Sequence, residues 1–544
     1  MNGSTASAPS TMISLVKEYS PALEDYIVKL NDYLVKSPFA STAACVAVFV
    51  LAGYLLSVID LHWDSSRAPL MGVKSGFEPR VVANYRVFRD LASVLDEGYA
   101  KFKDGIFRFA RNDADMIIVS NKYVEEIRAL PASVANPTAA HAHNLLGKYT
   151  MMNLILRGDL HFRSIQTKLT PNLASLVAPI QDELSYAVSR DLPECRDKWV
   201  SIKPYHVILH MVARISARVF VGLSICRNEE WLEISTQFTE NVFITLLALR
   251  VFPTWLHPVV APLLPTRWKL LGYIRRAQKL LIPEIKRHQE ILARGEKLTN
   301  VPDLLQWILE AANENEQDPA YLAHLETVIS LASIHTSQMN AVHVLYDLAA
   351  HPEYFEPIRE EIRAVASEPG GWTKASYGKL RKLDSFLRES QRFNPPSILA
   401  YHRIMEQTAI LSDGTVLPKG AHIAMAVNKI QNDPDVTPEP DVFNPFRYER
   451  MRQRPGEGHL HQFATAEPNK LNFGYGKHAC PGRFFATLEI KSILASLIMN
   501  YDFKLREGQS RPRSLHAYEF IFPNPDGELL IRERPVEEQV RFNV

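Results

Sequence analysis

The sequence predicts a mainly helical domain with small β-sheets, preceded by a single N-terminal transmembrane helix. Long helical patterns alternate with short strand-like runs from residue 81 to the C-terminus. Before them, residues 37–59 form one uncharged apolar run. Neither a repeat nor an interdomain linker divides residues 81–544, so we expect them to form one large domain.

The composition excludes several classes of protein. The chain of 544 residues has 61 Lys and Arg and 60 Asp and Glu, and this balance disfavours a nucleic-acid-binding surface. Its four cysteines, Cys45, Cys195, Cys226 and Cys480, form no C-x-x-C pair. A disulfide scaffold and a zinc ribbon are therefore disfavoured, and any cysteine chemistry would use a single thiol.

Residues 37–59 are predicted to be a membrane anchor. As a helix they are roughly 35 Å long, which exceeds the ~30 Å of a bilayer core. The 36 residues before them are too long and too acidic for a cleaved signal peptide, so we expect the anchor to be retained. Positive charges are balanced on its two sides and leave the orientation open. Residues 60–80, with two prolines and two glycines, are predicted to be a linker.

Periodicity and turn residues predict the elements of the large domain. Helices are expected over residues 81–97, ending at Gly98, and over 179–190. The longest helix is expected between Pro319 and Pro352, and its polar middle would suit a wet cavity or a ligand site. Strand-like runs that flank turn residues predict hairpins within residues 107–119, 410–416 and 520–531.

Residues 251–268 are apolar but contain four prolines, so they cannot form a smooth second span. Two interpretations remain open. The segment either dips into a membrane interface with its two tryptophans or is an ordinary packed loop.

The clearest functional pattern is FGYGKHACPGR at residues 473–483. It is a glycine-rich loop that presents Cys480 just before a helix expected to begin around Pro481. A thiolate at a helix N-terminus gains from the helix dipole and from free backbone N–H groups. Glycines let the backbone approach a flat ligand closely. The alternative is a free buried cysteine at the start of a helix.

This loop resembles the haem-ligand loop of the cytochrome P-450 family, F-x-x-G-x-x-x-C-x-G. Phe473, Gly476, Cys480 and Gly482 match every fixed position. The resemblance implies the cytochrome P-450 fold after the membrane helix. It also implies haem b as the cofactor, with Cys480 as the axial ligand of its iron.

Two further segments resemble the same family. Glu389 and Arg392 match its E-x-x-R motif, and a spacing of three places both charges on one helical face. Arg447, in the segment FNPFRY, matches the arginine of a P-E-R-F element. The resemblance implies that these three residues form a structural ion cluster.

The segment ASIHT, residues 332–336, resembles the family's oxygen-activation segment, A/G-G-x-D/E-T. Thr336 keeps the alcohol, whereas Ser333 replaces a glycine and His335 replaces the acid. Histidine exchanges protons near neutral pH, so we expect Thr336 and His335 to be catalytic. The alternative for His335 is a packed core histidine.

Haem propionates require cations, and the resemblance assigns His478 and Arg403 to them. The family's W-x-x-x-R helix, which contacts the propionates, is missing from this sequence. We expect His161 or Lys168 to make this propionate contact instead, and we assign it to Lys168. Four basic residues close to Cys480 suit either a reductase-docking surface or an ordinary charged surface. They are Lys470, Lys477, Arg483 and Lys491.

The resemblance is closest to filamentous-fungal enzymes of secondary metabolism, many of which oxidise terpenoids. It implies a monooxygenase of the endoplasmic reticulum membrane, with residues 1–36 lumenal and the catalytic domain cytosolic. Electrons would come from NADPH–cytochrome P-450 reductase, with cytochrome b5 as a further candidate donor. We expect hydroxylation of an apolar small molecule, with terpenoids as the favoured class. The alternatives are desaturation, rearrangement or C–C bond formation, and a non-catalytic haem-binding membrane protein.

Overall fold

The computed structural model describes residue 29 and residues 38–62, 66–296, 303–540 and 542. Apart from residue 29, the predicted N-terminal segment 1–36 lies outside them. The chain divides into two compact units. One holds the first helix and residues 73–83, and the other is formed by residues 65–72 and 84–544. Every described strand belongs to the second unit.

The structure is mainly helical, as predicted. In chain order the α-helices are α1 (Pro38–His62), α2 (Arg80–Arg89), α3 (Leu91–Phe102), α4 (Val124–Ala129), α5 (Pro137–Asn144), α6 (Gly147–Thr150), α7 (Leu160–Ser164), α8 (Val177–Asp191), α9 (Pro204–Phe220), α10 (Glu229–Arg250), α11 (His257–Leu263), α12 (Pro265–Ala293), α13 (Leu304–Ala311), α14 (Pro319–Ala350), α15 (Phe355–Ala366), α16 (Lys374–Lys379), α17 (Arg381–Phe393), α18 (Val427–Gln431), α19 (Arg447–Arg452) and α20 (Arg483–Asn500).

The strands are short and fall into four sheets. They are β1 (Leu70–Met71), β2 (Ile106–Phe109), β3 (Met116–Val119), β4 (Ala135–Asn136), β5 (Val200–Ile202), β6 (Ala400–Met405), β7 (Ala409–Ile410), β8 (Val416–Leu417), β9 (His422–Met425), β10 (Tyr501–Lys504), β11 (Leu515–Ala517), β12 (Phe520–Phe522) and β13 (Leu529–Glu533). The largest sheet has the order β1-β2-β3-β9-β6-β4, and a second has the order β10-β13-β5. Strand β1 pairs in parallel with β2, so the predicted linker 60–80 includes a strand of the largest sheet.

Helix α1 agrees with the predicted anchor in position and length. Its part Thr42–His62 is long and apolar enough to cross a membrane, and the most apolar window of that part is not buried. Among the described residues no other helix passes this test alone. Helix α10 and the segment Thr254–Leu263 would form a second span only as one bent pair, at 119° to each other. Since α10 is largely buried, we regard it as a core helix.

Two of the three predicted hairpins are confirmed. Strand β2 pairs antiparallel with β3, and β7 pairs antiparallel with β8. The prediction of a hairpin within residues 520–531 is wrong, because β12 pairs with β11 instead. Strand β13 has β10 on one edge and β5 on the other, so neither edge is available to β12.

The helix predicted over residues 81–97 is in fact two helices, α2 and α3. Asp90 separates them, because its side chain caps α3 by accepting a hydrogen bond from the Ser93 N–H at 3.1 Å. We predicted that Gly98 would end the helix, but this residue lies inside α3. A Cβ atom at this position would lie 2.3 Å from the Phe107 ring, so only glycine allows α3 to pack this closely against β2.

Helix α14 is the central element of the larger unit and spans 32 residues, as predicted. It packs against α9, α10, α12, α17 and α20, and most of its side chains are buried. Ala332 and Thr336, one turn apart in its middle, are exposed instead. Because other helices surround α14, these two side chains face space inside the domain.

A carboxyl group is fully buried between α20 and α9. The Ser216 hydroxyl donates to Oε1 of Glu489 at 2.7 Å. Burial raises the pKa of Glu489 to about 8, and the hydrogen bond from Ser216 offsets only part of this effect. The folded protein therefore holds a proton on this carboxyl at neutral pH, whereas the unfolded chain releases it.

Glu489 should make thermal stability fall as the pH rises from about 4.5 to about 8. Over this range folding takes up one proton, so each increase in pH favours the unfolded chain. The full effect is at most about 5 kcal/mol. In E489Q this contribution to the pH dependence should disappear. The thermal midpoints of both proteins in detergent, at pH 5 and pH 8, measure the effect, and equal pH dependences would contradict it.

Candidate active site

Cys480 lies in a tight loop just before α20. Its backbone N–H donates to the carbonyl oxygen of Phe473 at 2.7 Å, and the Phe473 ring packs edge-to-face on Phe463 with centroids 5.2 Å apart. Gly476 has a φ of +72°, and a Cβ atom there would lie 3.3 Å from the Arg128 side chain. Both the backbone conformation and the limited space therefore favour glycine at this position.

The thiol of Cys480 faces an interior cavity. Burial raises its pKa, and hydrogen bonds from the backbone N–H groups of Gly482 and Arg483 partly offset that rise. The residue is nevertheless exposed. The side chain is thus accessible to solvent although the surrounding protein excludes most of the water around it. Both conditions hold for a side chain at the wall of a cavity. A metal cation bound there would hold the sulfur as a thiolate.

Positively charged and neutral nitrogen groups gather near this loop. His141, on α5, is exposed, yet burial lowers its pKa to about 4, and Arg403, His161 and His478 lower it further. The pKa of His478 is likewise lowered by burial and then by positive neighbours. Nδ1 of His161 and Nε2 of His478 are buried without a hydrogen-bond partner among the described residues. A bound anion would stabilise this group of positively charged residues and unpartnered histidine nitrogens.

The structure does not place Lys168 in this group, contrary to the prediction. Its Nζ atom pairs with the Glu310 carboxylate at 3.2 Å, and its side chain is 38% exposed. His161, the other residue considered from the sequence, lies near the group instead. His141 was not predicted at all. The signal that could have found it is the helix start PTAAHAHN, but its two histidines could not be distinguished without the fold.

The basic surface considered as one alternative for the region around Cys480 is only partly present. Lys491 is buried and pairs with Asp384 at 2.5 Å. Lys470 is also largely buried, and burial lowers its pKa to about 7. Lys477 is exposed, and Arg483 is partly buried. Two of the four cations are therefore turned into the core and are not presented to a partner.

Glu389, Arg392 and Arg447 come together as expected. Two guanidinium nitrogens of Arg392 donate to the two oxygens of Glu389, at 2.7 and 3.0 Å, and both side chains are almost fully buried. Nε of Arg447 lies 3.5 Å from Oε1 of Glu389. Arg392 also donates to the Pro440 and Val442 carbonyls, which belong to the chain segment before Arg447. The cluster therefore joins α17 to this segment.

Thr336 and His335 occupy different environments. The Thr336 hydroxyl is exposed in the interior space and donates to the carbonyls of Ala332 and Ser333, at 2.8 and 3.1 Å. His335 is buried, and its Nε2 lies 3.1 Å from the Thr236 carbonyl of α10. Burial lowers the pKa of His335 to about 4, so the ring is neutral at physiological pH. This placement is that of the packed core histidine and contradicts the predicted catalytic role.

The sequence profile of the family described as cytochrome P-450 matches residues 86–531. This chain belongs to the cytochrome P-450 family. The match includes Cys480, Thr336 and the Glu389–Arg392 pair, so the predicted resemblance is confirmed over most of the chain.

Several curated fungal proteins are similar along nearly their whole length. Cytochrome P-450 monooxygenase AN1598 of Emericella nidulans is 48% identical over 484 residues, which cover 89% of this chain and 91% of that protein. The monooxygenase olcJ of Penicillium canescens is 44% identical, with 90% and 92% covered. An ent-kaurene oxidase of Gibberella intermedia is 37% identical, also with 90% and 92% covered. The chain is thus an oxidoreductase similar to fungal enzymes of secondary metabolism.

The cofactor of the cytochrome P-450 family is a haem whose iron is ligated by a thiolate. The residues present fit this group. Cys480 offers one thiol at the wall of an interior cavity. Near it, unpartnered nitrogens of His161 and His478, together with Arg403 and His141, suit the two anionic propionates.

Proposed function

We propose that this cytochrome P-450 inserts one atom of dioxygen into a C–H bond of an apolar terpenoid. The overall reaction would be R–H + O₂ + NADPH + H⁺ → R–OH + H₂O + NADP⁺. The proposal is carried by two side chains inside the domain, the free and exposed thiol of Cys480 just before α20 and the exposed Thr336 hydroxyl on α14, which packs against α20. The terpenoid class is supported by the likeness to an ent-kaurene oxidase.

Each of these side chains has a proposed task. Cys480 would hold the iron, and Arg403, His141 and His478 would bind the propionates. When bound, the haem supplies the activation of dioxygen, which the thiolate promotes by donating electron density. Thr336 presents the hydroxyl that holds and passes a proton inside the domain. Because His335 is neutral and bonded to α10, the proton must reach Thr336 by another route.

Desaturation of the same class of substrate is the second candidate function. It is favoured by the environment of Thr336, since the residue at the family's acidic position, His335, is buried away from the interior space. Both reactions use the same cofactor, dioxygen and two electrons. They differ in whether the product gains an oxygen atom or loses two hydrogen atoms.

We further propose that the enzyme is held at the endoplasmic reticulum membrane by α1, with the catalytic domain in the cytosol. The apolar segment 251–268 supports contact with a membrane interface, because Trp255, Leu263 and Trp268 are 73%, 75% and 60% exposed. Electrons would come from NADPH–cytochrome P-450 reductase, with cytochrome b5 as a further candidate donor. Of the four predicted basic residues, Lys477 is the one fully available to such a partner.

Membranes that contain the enzyme and its reductase should convert a diterpene such as ent-kaurene into a product that contains one more oxygen atom. The mass of the product, measured with and without NADPH, distinguishes the candidates. A gain of one oxygen supports hydroxylation, and a loss of two hydrogens supports desaturation. The soluble fraction of the same cells is the control for the membrane location. If no terpenoid of a representative panel is turned over while the haem-thiolate spectrum is present, the terpenoid assignment fails.

A further inference from the structure

A polar stripe runs along one face of helix α14. It consists of Thr336, Asn340, His343 and Asp347, whose spacing of four, three and four residues keeps them on the same side. Thr336 faces the interior space, whereas the other three side chains are buried. Burying a polar side chain is costly unless it is hydrogen-bonded. The hydrogen-bond partners of the stripe therefore indicate its structural role.

The partners come from α17, the helix that carries Glu389 and Arg392, and from Arg511, which contacts both His343 and Asp347. The Gln391 amide donates to Oδ1 of Asn340 at 3.0 Å, and the Asn340 amide donates to the backbone carbonyl of Thr336 at 2.8 Å. One residue earlier on α17, the Ser390 hydroxyl donates to Asp347 at 2.5 Å. The two residues between Glu389 and Arg392 therefore attach α17 to α14 at two points.

The bond from Asn340 to the carbonyl four residues earlier is not special by itself. Asn172 and Asn241 make the same bond within their own segments. Asn340 differs because its other amide atom is bonded by Gln391 of a neighbouring helix. A freely rotating asparagine has several conformations, whereas one held at both ends of its amide has a single orientation.

Amide groups neither gain nor lose protons near neutral pH, so the Gln391–Asn340 pair cannot be a proton path. Its effect must be geometric. The pair fixes the carbonyl of Thr336, and the Thr336 hydroxyl is itself bonded to the carbonyls of the preceding turn. The orientation of the hydroxyl therefore depends on the local shape of α14 between residues 332 and 340.

We propose that Asn340 and Gln391 are positioning residues that hold Thr336 in its working orientation through the bonds Gln391 → Asn340 → Thr336 carbonyl. This role rests on the proposed monooxygenase function, in which Thr336 handles the proton. The proposal gives Gln391, which lies between Glu389 and Arg392, a role of its own. It also explains why the polar middle of α14 continues into the core.

The test uses the full-length enzyme with variants that keep side-chain volume but remove the amides, Asn340→Leu and Gln391→Met, and the double variant. The readout is the fraction of NADPH electrons recovered in the oxidised product rather than in hydrogen peroxide. We expect each single variant to lower this fraction about 10-fold, because small displacements of a catalytic group have effects of this size or larger. The double variant should lower it no further, since the two residues act in series.

Ser390→Ala is the matched control, because it removes a buried bond between the same two helices about three turns away from Thr336. It should lower the thermal midpoint as much as Gln391→Met does but leave the electron recovery unchanged. An equal loss of electron recovery in Ser390→Ala would show a general structural effect and overturn the proposal. Additive losses in the double variant would overturn it as well.

Amide hydrogen exchange in residues 333–340 distinguishes this proposal from the proposed function. Exchange should become faster in Asn340→Leu and Gln391→Met, and should be unchanged in Ser390→Ala. This readout needs no substrate, so it applies even if the wild-type enzyme forms no oxidised product. Faster exchange without any product formation would refute the proposed function, while unchanged exchange would refute the positioning by Asn340 and Gln391.

Discussion

The variant Cys480→Ala should lose the haem-thiolate absorption band that the reduced protein forms with carbon monoxide. Cys480 is the one cysteine in the loop before α20. Its side chain is accessible, although the surrounding protein desolvates it. Alanine cannot donate electron density to iron, so the band should disappear and NADPH-dependent product should fall to background. Difference spectra of equal amounts of both proteins measure the effect.

The matched control for this variant is Cys195→Ala. Cys195 is buried in the hydrophobic core, and burial raises its pKa, so it is an inert structural thiol. It should keep the band at wild-type intensity per folded protein. A band that survives in Cys480→Ala would refute the ligand assignment. A band lost in both variants would point to damage of the fold instead.

The second large effect is expected for Arg392→Leu. Glu389 and Arg392 are almost fully buried, and Arg392 makes a bidentate contact to Glu389 as well as bonds to two carbonyls. Leucine would leave the buried carboxylate with the Asn444 N–H, at 2.9 Å, and Arg447, at 3.5 Å, as its remaining partners. Removing one partner of a buried ion pair costs about 3–5 kcal/mol. We therefore expect most of the protein to be recovered without the haem-thiolate band.

Arg447→Leu separates the contribution of the pair from that of the whole cluster. Its Nε atom lies 3.5 Å from Glu389, and its side chain is 11% exposed, so its loss should cost only about 1–2 kcal/mol. Thermal inactivation of the carbon monoxide band ranks the two variants. If Arg447→Leu is as unstable as Arg392→Leu, the contact of Arg447 with Glu389 contributes as much stability as the bidentate pair, and the expected ranking is wrong.

Local patterns were sufficient for the elements with short-range determinants. The long helix α14, the apolar N-terminal helix α1 and the hairpin β2–β3 were predicted, because periodicity and turn residues act between near neighbours in sequence. Gly98 shows the limit of that reasoning. A glycine at this point of a helical pattern usually indicates the end of the helix. Here the ring of Phe107, on the following strand, requires a residue without a Cβ atom inside the helix. The pairing of β12 and β13 fails for the same reason, since both edges of β13 are taken by distant strands.

The sequence by itself identified the family, Cys480 as the proposed haem ligand and the charges of the Glu389 cluster, since fixed spacing within one loop or one helical turn carries that information. Tertiary structure decided which side of a helix each polar residue faces. It turned His335 towards α10, paired Lys168 with Glu310, and placed His141 near Arg403. A residue's spacing along the chain does not reveal its neighbours from other helices. Those neighbours set the pKa and the partner of each buried group, and so decide which residues can do chemistry.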